Sequence, residues 1–289
     1  MILTINRWFS SITSLIAGPA FATMFALLPA FAVAQEIAVI HCQGRCPQYS
    51  SALAVKTSKV VIHHLYAAGL NGFNMRADWV AYKLSKDAIG IASLLSREWQ
   101  PDKLANFSLA AELADLESEI SLPDISREVS PYGGMSEPLS NEQNRVRLVP
   151  LTSYANTPYW SELNNTSNML PMPTPLRFGA WLRLEQTVNA LVARKGELHV
   201  ITGPVYFNNL SPEDDSSERG VDLMGYFKIV AGDSGFAAFV FPQDLGLQES
   251  FCGQLASLDE IERLTKLKLF PEHTPTQSEQ LLVDLGCTP

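Results

Sequence analysis

Apolar positions along this chain recur with two periods, and the changes of period mark the elements. Val60-Val61-Ile62 leads through His63-His64-Leu65-Tyr66 and reads as a strand. Ala77–Leu84, rich in aromatic and β-branched residues, is a second strand candidate. From Arg177 to Arg194 the pattern turns helical: Trp181, Leu184, Val188 and Leu191 or Val192 follow at three- and four-residue steps. Leu198–Thr202 then reads as a strand ending at Gly203-Pro204. Tyr226–Val230 and Phe236–Phe241 read as two more, joined by turn residues 231–235. Ser257-Leu258-Asp259-Glu260 is a capping box that opens a helix running to about Leu267. Strands mix with a few helices, without the regular alternation of a doubly wound sheet, which predicts an α+β fold.

Composition refines this picture at the N-terminus. Arg7 precedes an apolar run from Trp8 to Ala30, and Ala32-Val33-Ala34 then matches a small-residue cleavage site. Residues 1–34 are therefore expected to be a signal peptide, and 35–289 a single domain that is secreted or periplasmic. Beyond residue 34 no stretch is long and apolar enough to span a bilayer, so no membrane contact is expected after cleavage. The chain of 289 residues carries 21 Lys+Arg against 30 Asp+Glu, a net charge of −9. Losing Arg7 with the leader makes it −10, which excludes a general nucleic-acid coat and confines any phosphate-binding surface to a local basic patch. Residues 111–142 hold eight acids and one base, broken by Pro and Gly, and read as an acidic surface insertion. Glu213–Glu218 reads as a second solvated acidic loop and not as a calcium loop.

The four cysteines, Cys42, Cys46, Cys252 and Cys287, allow three pairings. An exported protein favours disulfides. Cys42 and Cys46 lie close enough for a tight loop, and Cys252 with Cys287 would then tie back the C-terminus. A zinc site is the rival, without a second close pair or a histidine pair to complete it. The histidines are His41, His63, His64, His199 and His273. His41 reads as a surface residue. Strand alternation sends His63 and His64 to opposite faces, so both read as structural or surface residues. No phosphate-binding loop, dinucleotide fingerprint, zinc-protease motif or nucleophile elbow is present.

The order of several blocks is more specific than any one of them. Cys42–Pro47, Ala77–Tyr82 and Ser96-Arg97-Glu98-Trp99-Gln100-Pro101-Asp102 are followed by Asn144-Arg145-Val146-Arg147-Leu148-Val149-Pro150-Leu151. Ser167–Pro171, Gly179–Glu185, Thr202-Gly203-Pro204, Phe251-Cys252 and Gly286-Cys287 complete the series. In that order they resemble the DNA/RNA non-specific endonuclease family, over nearly all of the mature chain. The resemblance implies a ββα-metal nuclease-like fold, with a central antiparallel sheet flanked by helices, and the disulfides Cys42–Cys46 and Cys252–Cys287. It also implies one Mg2+ held by an asparagine and waters, with a histidine as general base and a glutamate orienting metal-bound water. The insertion at 111–142 is longer than the family leads one to expect.

Carried over by position, the resemblance implies that Arg97, Arg145 and Glu185 keep family roles. The general-base position is Arg147, the metal-ligand position is Arg177, and Asn144, Met172 and Asn189 also depart from the pattern. A guanidinium has no acceptor lone pair and supplies no oxygen ligand, so Mg2+ binding is doubtful and catalysis is expected to be impaired. The leading expectation is an impaired family member that retains a site for nucleic acid, DNA or RNA, or for phosphate. In a closed variant of it, Arg147 or Arg177 pairs with Glu185. The alternatives are an active metal-dependent endonuclease with a rearranged site and a periplasmic interaction protein using the 111–142 insertion. The oligomeric state is left open, a dimer included.

Overall fold

Six strands form one antiparallel sheet: β2 (Lys59–Ile62), β3 (Ala67–Leu70), β4 (Ala77–Ser85), β7 (Glu197–Tyr206), β8 (Leu223–Gly232) and β9 (Gly235–Pro242), in the order β2-β3-β4-β7-β8-β9. The computed structural model describes residues 39–51, 58–71, 76–107, 143–206, 223–272 and 274–287. The leader 1–34, the insertion 111–142, the acidic loop 213–218 and His273 lie outside the described residues.

Both faces of the sheet are covered, which is why β4 and β8 read as nearly unbroken apolar runs. Val80, Tyr82 and Leu84 of β4 join one core cluster, Trp79 and Ala81 the other. The first cluster receives Leu184, Val188, Leu191 and Val192 from α2 (Leu182–Lys195), following α1 (Lys103–Phe107) in the chain. The second receives Leu258 and Ile261 from α3 (Leu258–Thr265), with Leu267, Leu269 and Phe270. The N-cap of the expected capping box forms, the Ser257 hydroxyl accepting the Glu260 N–H at 3.1 Å. The C-terminal α4 (Glu279–Asp284) adds Leu281 to the first cluster.

Three elements depart from the sequence reading. The strand at Val60–Ile62 stops before His63, whose N–H donates to the Tyr66 carbonyl at 2.8 Å, and a hairpin partner, β3, follows. Ala-Ala-Gly-Leu has no β-branched residue to signal it. Gly69 is required there, because a Cβ would stand 2.1 Å from Nε1 of its cross-strand partner Trp79. The helix expected from Arg177 is regular only from Leu182: Arg177–Trp181 is a wide π turn, non-helical at Gly179 (φ −92°, ψ −120°). A two-stranded ribbon, β5 (Gln143–Arg147) with β6 (Met169–Pro173), was not foreseen, since Pro171 and Pro173 disguise a strand. A ribbon of two strands has only edges, where proline is tolerated. The ribbon and α2 succeed one another as a ββα unit.

Cys42 is bonded to Cys46 and Cys252 to Cys287, with Cα–Cα separations of 5.0 and 5.3 Å, and no free cysteine remains among the described residues. That is the expected pairing, and it leaves no thiolate for zinc. Two further short strands, β1 (Gln48–Tyr49) and β10 (Leu267–Lys268), pair beside the first disulfide loop.

Two predictions follow from this framework. The second disulfide closes a loop with a sequence separation of 35. Replacing Cys252 and Cys287 together by Ser should cost ~3–4 kcal/mol in urea denaturation. Asp78 accepts the Tyr49 hydroxyl at 2.9 Å, and burial raises its carboxyl to about 6 from 3.8. A raised carboxyl makes its full contribution below the unfolded value and loses it as pH climbs through the folded one. Melting temperature should therefore fall between about pH 4 and pH 6, and Asp78→Asn should flatten that fall.

Candidate functional site

Arg147 closes β5, and its guanidinium is held entirely by neutral groups. Its Nε and Nη2 donate to Asn164 Oδ1 at 3.1 and 2.7 Å, and Nη2 also donates to the Arg97 carbonyl at 2.8 Å. The guanidinium carbon lies 4.2 Å from the centroid of the Trp99 ring, in cation–π contact. Asn164 in turn donates to the Ser96 carbonyl at 3.1 Å. The loop 96–102 and the 3-10 turn Trp160–Asn164 are thus laced around one positive charge. Burial, then Arg97 and Arg177, push the Arg147 pKa down to about 10, so the group still carries its proton at neutral pH. Arg145 lies two residues earlier on β5, on the same side of the ribbon, half-buried opposite Pro171.

Arg177 stands on the π turn with its guanidinium 4.9 Å from the Phe178 ring. Burial lowers its pKa, the Glu185 charge opposes that, and Arg97 adds to it. Glu185, in the first turn of α2, is buried and accepts from Lys228 Nζ at 2.8 Å. Lys228 is wholly buried, 3.8 Å above the Trp181 ring. Burial disfavours both charges, raising Glu185 and lowering Lys228, and each partner opposes the other's shift. Pairing of Arg147 or Arg177 with Glu185, the closed arrangement, is not what forms: Lys228 takes the carboxylate. Among the described residues, none of Arg97, Arg145, Arg147 and Arg177 forms an ion pair. The sequence reading missed Lys228. The available signal was a lone lysine inside the apolar run Tyr226-Phe227-Lys228-Ile229-Val230, where strand parity turns it toward α2.

The donor set does not fit a magnesium ion. Arg177 occupies the ligand position that the resemblance implies, Met172 is fully buried and apolar, and one Glu185 oxygen is committed to Lys228. Asn189 spends its carbonyl oxygen on the Ser153 hydroxyl at 2.9 Å. Among the described residues no cluster of His, Cys, Asp and Glu is placed to hold a metal.

His41 and His63 are buried and structural. His63 is buried and His64 exposed, though neither lies in the strand that would alternate them. His63 Nε2 lies 2.9 Å from Asp102 Oδ2, and the Ser167 hydroxyl donates to the same oxygen. The serine meets the carboxylate and not the imidazole, so this is no nucleophilic relay. Asp102 Oδ1 accepts the N–H groups of Leu104 and Ala105 at 2.9 and 3.3 Å. Burial would raise the Asp102 carboxyl, but the His63 and Ser167 donors outweigh it and hold it below the usual range. This anchor fixes the end of the loop that carries Arg97 and Trp99. His41, expected at the surface, is buried with Nε2 2.9 Å from the His63 carbonyl, because the first disulfide loop packs it inward.

Comparison with known proteins agrees with this arrangement. The model of the DNA/RNA non-specific endonuclease family matches residues 48–276. The "Nuclease" of Serratia marcescens is 27% identical over 234 residues, covering 78% of this chain and 79% of that protein. A chain in the crystal structure of the EndoG/EndoGI complex, whose subject is the mechanism of EndoG inhibition, aligns with a TM-score of 0.53 at 18% identity. It covers 74% of this chain and 86% of that one, a likeness of fold. With the family pattern spanning the sheet, the ββα unit and most of the chain between the disulfides, this chain belongs to the DNA/RNA non-specific endonuclease family.

Proposed function

We propose that this chain is an exported, catalytically impaired member of its family that retains a metal-independent site for nucleic-acid phosphate. One observation carries the reading: the Arg147 guanidinium bonds to the Arg97 carbonyl and Asn164, both neutral, and among the described residues none of Arg97, Arg147 and Arg177 forms an ion pair. Guanidiniums brought together in a part-buried site repel by a few kcal/mol at an intermediate dielectric. A phosphodiester, with its charge and its fork-matched oxygens, relieves that repulsion. Export is supported by the two disulfides, which persist in oxidising compartments.

Impairment follows from the chemistry of the positions. Phosphodiester hydrolysis needs an acceptor for the proton of the attacking water. Arg147 has no lone pair to offer, and its Nε and Nη2 donate to Asn164 and the Arg97 carbonyl. Glu185 is a carboxylate, but it is buried and its Oε1 accepts from Lys228. Arg177 offers charge to a bound phosphate and nothing to a cation.

Purified mature protein should show no magnesium- or manganese-dependent cleavage of plasmid or RNA, and should still bind a labelled oligonucleotide in EDTA. Robust metal-dependent hydrolysis by the wild type, abolished by Glu185→Ala, would overturn the reading. Arg147→Lys keeps the charge but cannot span Asn164 and the Arg97 carbonyl while facing a phosphate. Fluorescence anisotropy should show affinity falling by about tenfold, with a salt dependence close to that of the wild type. Arg147→Ala should also flatten that salt dependence by about one phosphate contact.

A further inference from the structure

Beside the arginines lies an aromatic surface that phosphate binding leaves unused. The rings of His64 and Tyr159 stack in parallel, centroids 4.0 Å apart at an interplanar angle of 2°. Both are open to solvent: the His64 side chain is 61% exposed and Tyr159 45%. We propose that this stacked pair is a docking platform for an unpaired nucleobase, so that the arginine site prefers single-stranded nucleic acid over duplex. The proposal rests on the phosphate reading above and adds a base subsite to it.

The platform and Arg147 are bonded to the same turn. Glu162 accepts the His64 backbone N–H at 2.9 Å through Oε2 and faces the ring Nδ1 through Oε1. Glu162 belongs to Trp160–Asn164, the turn whose Asn164 grips Arg147, and Tyr159 caps the other end of it. At about 2 Å of rise per 3-10 residue, Tyr159 and Asn164 are ~10 Å apart along the turn. Stacked nucleotides rise about 3.4 Å each, so a strand with one phosphate at the arginines reaches the platform within about three steps. Gln100 Nε2 donates to the Ser161 carbonyl at 3.0 Å and to Asn165 Oδ1 at 2.8 Å, bracing the turn against the loop that carries Arg97.

The surroundings suit a polyanion despite two nearby acids. A cleft of about 510 Å³ borders the platform, lined by His64, Gln100, Pro101, Lys103, Leu104 and Glu162 among others. Both Glu162 oxygens face His64, and both Asp102 oxygens accept protein donors, so neither carboxylate points a free charge into the path. Lys103, exposed on the cleft wall, supplies a cation for the sugar-phosphate chain. Every base has a π-face that an aromatic surface can accept, whereas a duplex keeps its bases stacked inside.

The test uses the full mature protein in EDTA with a labelled oligothymidylate, a duplex of equal length, and pyrophosphate as competitor. The wild type should bind the single strand more tightly than the duplex. Tyr159→Ala leaves the Glu162–His64 bonds in place. It should weaken single-strand binding by about tenfold, the size of one lost base–aromatic stack, and leave duplex binding and pyrophosphate competition unchanged. Tyr159→Phe should restore the preference. Tyr159→Trp should restore it too, with indole emission quenched by the oligonucleotide. If Tyr159→Ala is folded and binds single strand as the wild type does, or loses both nucleic acids equally, the platform is wrong and the phosphate site stands. If pyrophosphate binds but no oligonucleotide does, the platform falls together with the nucleic-acid reading, and the arginines hold free phosphate only. If the wild type binds neither, both readings fall.

Discussion

The guanidinium of Arg147 is held in place without being neutralised, and much of the site follows from that. Its partners are an amide oxygen, a backbone carbonyl and an aromatic face. Each satisfies a donor or the cation without adding a negative charge. A carboxylate in the same place would have satisfied the geometry and cancelled the charge. With neutral partners, the charge remains available to a ligand while the side chain stays ordered. Burial is the main cause of the lowered pKa of Arg147 and Arg177, and Arg97 adds to it in both as an electrostatic load.

That load persists because the nearest carboxylate is spoken for. Glu185 and Lys228 form a buried pair across the interface between α2 and the sheet, separated by 43 residues in sequence. Burying two charges is costly, and a buried pair is weak evidence of stability in itself. Its consequence here is positional. Breaking it by removing one partner would strand a charge in the core, so the pair holds the first turn of α2 against β8. The same pair keeps Glu185 from the guanidiniums. Arg177 feels the carboxylate electrostatically but does not bond to it.

The two segments that surround the Arg147 guanidinium have little regular structure, and hydrogen bonds tie them to each other. Asp102 ties the 96–102 loop to His63, to Ser167 and to the start of α1. Asn164 and Gln100 stitch the same loop to the 160–165 turn. Loops bear function when a rigid scaffold positions them, and here the sheet edge at His63 and the ribbon at Arg147 are that scaffold. The family model spans both segments and the ribbon, and the identity of the side chains decides what chemistry they can support.

Local signals were enough for much of this molecule. The period of the apolar residues located β4, β7, β8, β9 and the regular part of α2, because each buries a face at fixed spacing. Ser257 and Glu260 announced α3 through a bond spanning three residues. Cysteine spacing anticipated both disulfides, and motif order led to the expectation that Arg147 and Arg177 stand at the base and ligand positions. What stayed hidden depends on partners far apart in the chain. No local pattern pairs Lys228 with Glu185, sets Asn164 against Arg147, or buries His41 beneath His63. Nor could periodicity show that Gly179 breaks the helix below Arg177, since the break answers to the Leu247 carbonyl packed 2.7 Å from where a Cβ would stand. The residues specify which charges and donors exist. Which of them meet is decided by long-range packing, because a charge is neutralised only by the partner that the fold brings within reach.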